Sequence, residues 1–246
     1  MKAQLASEML KLRTTRTTVG LMAGMLALIV TAVALHGYGL PAKDLATRSD
    51  QLGFLVGWGE VLGALFAGLL GAMAFTAEIR HGTIRPTLLV MPRRRRVLAA
   101  KCAAAGIGGL GFGVVATGAA VVTGRIVLAV RGIDLALGGG DFVAFVTRSA
   151  VAAGLWAVIG LGLGAAVRAQ VPTMVGLVAW VLFVEQIMVA NAPSLGRLAP
   201  GALGQAVSGL HPDTLLAPVL AAVVLALYAL ATMAVGTLAT TRRDFA

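Results

Sequence analysis

Long apolar runs separated by short polar ones dominate the chain. Six of them, near residues 19–36, 52–75, 102–124, 149–167, 171–190 and 215–238, reach the length of about 17 to 25 mostly apolar residues that carries a helix across a bilayer. A helix satisfies its own backbone hydrogen bonds in lipid, and nothing in the pattern suggests a closed barrel. The prediction is an all-α, polytopic bundle of six transmembrane helices forming one domain over residues 1–246. Only Arg168, Ala169, Gln170 and Val171 separate the fourth and fifth runs, and Pro172 suits a new helix start, so these two form a tight helical hairpin. Ahead of the first run, Leu5, Met9 and Leu12 share a face at helical spacing, with Lys2, Lys11 and Arg13 placed to meet lipid headgroups. That stretch reads as an N-terminal interfacial helix; a frayed basic tail is the alternative.

Composition supports the membrane reading: 59% of residues are hydrophobic, 12% are charged and the mean hydropathy is +0.92. A net charge of +10 would suggest nucleic acid in a soluble chain, but no aromatic platform accompanies the bases here. A polytopic chain instead carries excess Lys and Arg to set its orientation. With the N-terminus in the cytoplasm, 14 of the 20 bases fall inside and six (Lys43, Arg48, Arg125, Arg131, Arg148 and Arg197) fall outside. The expected location is a bacterial-type plasma membrane with both termini cytoplasmic. Ala32, Val33 and Ala34 resemble a signal-peptide cleavage site, but a basic preamble of this length followed by further spans favours an uncleaved first helix.

Catalytic signatures do not survive their context. Gly106, Gly108 and Gly111 formally match G-x-G-x-x-G, yet a basic loop precedes them instead of a strand. With Gly109 and Gly113, and with the pairs Gly53/Gly57 and Gly160/Gly164, they read as flat faces for close helix packing. The sequence holds no G-x-x-x-x-G-K-[ST] phosphate loop, and His36, His81 and His211 are scattered with no metal-binding spacing. Ser208 and His211 share one Pro-interrupted segment and do not make a protease pair across two spans. The lone Cys102 reads as a small packing residue.

Two features stand out against this background. Glu60 and Glu185 fall inside spans at comparable depth, where a carboxylate costs about 2.5 to 3.5 kcal/mol at a helix centre and less toward the interface. They are either interior anchors, bonded to neighbours or to Arg125 or Arg148, or the polar lining of an outward-facing cavity. The second feature is the charged stretch over 76–101, which holds seven bases. Glu78, Arg80 and His81 follow the second span, Gly82 permits a sharp turn, and Pro86 and Pro92 punctuate an amphipathic piece, Ile84 to Met91, before four arginines. Anchoring alone does not require such a loop; it looks like a docking surface for a cytoplasmic partner.

On these residues the chain resembles the permease subunit of type 2 ABC exporters. The resemblance is carried by Glu8, Lys11 and Leu12 before the first span, by Glu78, Gly82 and Thr83 after the second, and by Pro92, Arg94 with its arginine neighbours, and Lys101 before the third. Weaker echoes are Glu185, the Leu198 to Gln205 stretch, and Arg243 with Asp244. The resemblance spans essentially the whole chain. It implies a permease without enzymatic activity of its own, completed by a second permease copy or a related one. Separate ABC ATPase subunits would power it and bind ATP-Mg, with no cofactor on this chain. It implies a coupling role for Glu78, Arg80, His81, Gly82, Thr83, Ile84, Arg94 and Lys101, and a connector helix in the N-terminal piece. Short re-entrant helices are implied between the last two spans, where Pro193, Pro200 and Pro212 break the Asn191 to Thr214 segment. An ion-gradient carrier is the rival class, although no inverted repeat supports it; a non-transporting membrane protein is a third.

Overall fold

The computed structural model describes residues 2–83, 86, 94–211 and 213–242, without the side chains of 54–56, 94, 95 and 242. It is 87% helical with no strand among the described residues, and six helices are long and apolar enough to cross a membrane. In chain order the helices are α1 (Lys2–Thr14), α2 (Arg16–Gly39), α3 (Arg48–Arg80), α4 (Arg94–Val130), α5 (Gly139–Val167), α6 (Gln170–Asn191), the short α7 (Pro193–Gly196) and α8 (Pro200–Ser208), and α9 (Pro218–Arg242); the six candidate spans are α2 to α6 and α9. π-type turns interrupt α3 over Gln51–Val56 and α6 over Trp180–Val184. The all-α bundle expected from the hydropathy pattern is therefore the observed architecture. The end of the bundle that carries α1 and the charged stretch is called the basic end below; α7 and α8 lie at the far end.

The spans run longer than the apolar runs. α3 continues to Arg80 and α4 starts at Arg94, so Glu78 and Arg80 stand on α3 and Lys101 on α4. The loop expected over 76–101 is therefore cut back at both ends, since 76–80 and 94–101 are helical. Gly82, in the left-handed region at φ 68°, ends α3: its N–H bonds the Ile79 carbonyl at 3.1 Å and the Thr83 N–H bonds that of Glu78 at 2.9 Å. Those two bonds close the orphan carbonyls of the last turn. The hairpin between α5 and α6 is as tight as expected, with Arg168 at φ 62° capping α5 and α6 beginning at Gln170.

α3 and α5 form the centre: 72% and 67% of their most apolar stretches are buried, against 17% for α2 and 22% for α6 and α9. Small residues set this contact. A Cβ on Gly71 would overlap the Ala157 carbonyl, and one on Gly160 would overlap that of Gly68. The two backbones touch, which yields dispersion contact and lipid release where lipid offers no hydrophobic drive between helices. α4 meets α5 through Gly109 and Gly113, whose added Cβ atoms would stand 2.6 Å from Ala157 Cβ and from Ala150 Cα. α9 meets α5 through Gly162 and Gly236. Gly109/Gly113 and Gly160/Gly164 thus act as the spacing predicts. Gly111 faces open space, and Gly53 and Gly57 meet only side chains and their own turn, so the packing reading does not extend to them.

At the far end, buried Gln51 ties three segments: its Nε2 donates to the carbonyls of Leu45 (3.0 Å) and Asp134 (2.9 Å), and its Oε1 accepts from Ala136 N at 3.1 Å. Arg131 donates to the carbonyls of Gly37 and Leu40, closing the end of α2. Inserting a methyl at a backbone contact should separate the central pair. Gly160→Ala is expected to cost about 1 to 3 kcal/mol and to lower the midpoint of thermal unfolding in detergent, while Gly111→Ala leaves it unchanged.

Candidate functional site

At the basic end, four charged residues from three helices converge. The Lys101 side chain is wholly buried on α4. Its ammonium donates to Glu8 Oε2 of α1 at 2.8 Å and to the Ala74 carbonyl of α3 at 3.1 Å, and lies 2.7 Å from Glu78 Oε1. Lys11, at the margin, donates to Glu8 Oε1 at 2.9 Å and to the same Glu78 Oε1 at 2.7 Å. Gln4 adds a 3.3 Å bond to Glu8. Two acids and two bases cancel, so a charged cluster stands inside an apolar bundle without a net charge to solvate. A buried ammonium is tolerable only where its donors are met and its charge is opposed.

This arrangement explains α1. Its inward face is Gln4, Leu5, Glu8, Lys11 and Leu12, and Glu8 is its buried residue. The hydrophobic face expected from Leu5, Met9 and Leu12 is real but only partly buried, and Lys11 turns to Glu8 and Glu78 instead of outward to headgroups. Burial pulls the Lys11 ammonium down, but the hydrogen bonds and charges of Glu78 and Glu8 outweigh it and hold the group above the ordinary lysine value.

The other residues of the charged stretch part company with this cluster. Arg80, His81, Gly82 and Thr83 are exposed, and Arg80 reaches Gln170 Oε1 at 3.5 Å. Ile84 and the amphipathic piece through Met91, Pro86 apart, lie outside the described residues, as does the Arg94 side chain. Glu78 and Lys101 point into the chain, so any part they play in coupling passes through the cluster and not through direct touch with a partner. A cavity of about 570 Å³ opens beside the cluster, lined by Leu12, Thr18, Leu21, Met73 and His81 among others.

The second constellation is at the far end. Glu185 of α6 accepts from Trp180 Nε1 at 2.6 Å and from the Gly201 N–H at 3.0 Å, so it caps the N-terminus of α8. Glu60 of α3 is 3% exposed, and its Oε2 has no hydrogen-bond partner. Neither Arg125 nor Arg148 meets these carboxylates among the described residues; both are exposed, and Arg125 lies 5.9 Å from the Phe142 ring centroid. The anchor role expected of the pair therefore holds for Glu185, through α8 instead of an arginine. Two glycines of α8, one turn apart, make room for the two acids: a Cβ on Gly201 would overlap Glu185 Oε2, and one on Gly204 would stand 2.7 Å from Glu60 Oε1. Trp156, Trp180, Gly201 and Gly204 escaped the sequence reading; the G-A-L-G spacing in the Leu198 to Gln205 stretch was the available signal. Ser208 accepts from Ser149 Oγ at 2.9 Å and donates to the Gly204 carbonyl at 3.1 Å, which uses its hydroxyl in packing. His211 lies apart, lining a cavity of about 480 Å³ with His36, Trp58, Gln186 and Gln205.

No protein-family model matches the chain, and no curated protein sequence matches it.

Lys101→Met should leave the buried Glu8 and Glu78 opposed only by Lys11 at the margin, costing about 3 to 5 kcal/mol and exposing α1 to protease in detergent. Adding Glu8→Gln is expected to recover part of that loss. Because the Lys11 value is raised on folding, its contribution is complete below the ordinary lysine range near 10.5 and fades as pH climbs through the folded value. Protease protection of α1 should thus hold from pH 7 to 10 and fall only above it.

Proposed function

We propose that this chain is the membrane-spanning permease subunit of an ATP-driven exporter of the type 2 ABC class. The observation that carries the reading is the meeting of Glu8, Lys11, Glu78 and Lys101 in one ion cluster. These four lie in three separate segments on which the sequence resemblance rests, and nothing in their spacing alone requires contact. Their union ties the N-terminal helix to both helices that flank the 81–93 stretch.

Mechanically this makes a lever. An ATPase gripping that stretch pulls on the ends of α3 and α4, and the ion cluster carries α1 along with them. α3 runs from there through the centre of the bundle to Glu60. ATP-Mg binds on the partner ATPases, whose closure drives two permeases open toward the outside; this chain performs no covalent chemistry. The apolar, outward faces of α2, α6 and α9 meet lipid and a second permease. The excess of bases at the basic end supports a plasma-membrane orientation with that end and both termini in the cytoplasm.

The test is copurification. Tagged chain recovered from gently solubilised native membranes should bring a stoichiometric ATPase with it. Deleting Gly82 and Thr83 should release the ATPase while α1 stays protease-protected. Chain recovered without an ATPase, and moving solute under an ion gradient, would overturn the reading in favour of a secondary carrier.

A further inference from the structure

The far-end constellation leaves one buried carboxyl oxygen without a partner. Glu185 is committed to Trp180 and the start of α8. Glu60 is not: it is buried, its Oε2 has no hydrogen-bond partner, and among the described residues no base lines the space it faces. Trp156 Nε1 of α5 is also buried with no acceptor. Trp156 Nε1 and the Glu60 carboxyl group both border Gly204, whose added Cβ would lie 2.7 Å from Glu60 Oε1 and 3.4 Å from Trp156 Nε1. They face a space of about 20 Å³ lined also by Val61, Val181 and Gln205. One water fits such a space, and it satisfies a donor and an acceptor together, but it supplies no positive charge.

The small space adjoins a larger one across shared walls. Val61, Val181, Gln186 and Gln205 line both it and the cavity of about 480 Å³. That cavity has mostly apolar walls and an aromatic one: Trp58, whose ring stands 4.9 Å from that of His36 between centroids. Among the described residues, the titratable groups lining these two spaces besides Glu60 are His36 from α2, His211 after α8 and Glu185 from α6, and no lysine or arginine lines either. The volume suits a small organic molecule. A bare metal ion fits poorly, since Glu185 is already used and Trp156 offers a donor where an oxygen ligand would be needed.

We propose that Glu60 is the binding carboxylate for a protonated amine on an apolar, oxygen-bearing body that occupies this cavity. The ammonium supplies the N–H donors for Oε2 and pairs with Glu60 as a carboxylate; an oxygen acceptor nearby meets the Trp156 N–H; the apolar body lies against Trp58 and Leu210. Calling this ligand cargo rests on the export reading, whereas binding itself does not.

Equilibrium binding of tritiated propranolol, an amine with a neighbouring hydroxyl and a naphthyl body, to the purified full chain in detergent tests the site. Binding is expected to saturate, to weaken at least tenfold in Glu60→Gln, and to be unchanged in Asp50→Asn. On the unaltered protein, neutral N-acetylpropranolol should fail to compete, a result independent of how any variant folds. Absence of saturable binding, equal competition by the neutral analogue, or equal affinity in a folded Glu60→Gln protein would overturn the proposal and leave Glu60 a structural acid. No ATPase is needed for the measurement, so its failure and that of the copurification experiment are separable.

Discussion

Everything in this bundle is arranged around the backbone contact of α3 with α5, where Gly68, Gly71, Ala157 and Gly160 leave no room for a side chain. Lipid is as apolar as leucine, so burying apolar surface does not drive two helices together inside it. Close approach of flat surfaces does. With that pair fixed, α4 and α9 dock through their own glycines, and α2 and α6 stay peripheral with most of their surface turned outward.

The same helix carries both ionic sites. Glu60 and Glu78 are 18 residues apart on the uninterrupted stretch Gly57–Arg80, which is five turns of an α-helix and about 27 Å along its axis. Five whole turns place them on one face. One acid is paired with two lysines from other helices, and the other meets no base among the described residues, so the two ends of a rigid rod have different electrostatic surroundings. A displacement of α3 moves both at once, which gives the basic end a physical route to the far-end cavity.

Burying ions tightens the geometry around them. Lys101 lies inside the bundle because two carboxylates and a carbonyl receive it, and removing any partner exposes the others to an apolar surrounding. The cluster therefore specifies where α1 sits more sharply than its modest apolar face does. Glu185 plays the corresponding role at the far end, holding α8 against the spans by its first backbone amide.

The number of spans, the α-helical class, the helix in the N-terminal piece and the hairpin at Arg168 were legible in the chain itself, because hydropathy over a bilayer's thickness and local turn chemistry are properties of neighbouring residues. Glu8, Lys11, Glu78, Lys101, Glu60 and Glu185 could each be singled out as charges needing a reason. Their partners could not: Lys11 and Glu78 are 67 positions apart, and Lys101 and Glu8 93, and no local pattern encodes such contacts. For that reason the polar ends of α3 and α4 read as loop, since a lone Glu or Lys belongs in water, while paired charges let the helix continue. Only the tertiary structure decided that one intramembrane acid is satisfied and the other is not, because hydrogen bonds and opposing charges depend on what packing brings within about 3 Å.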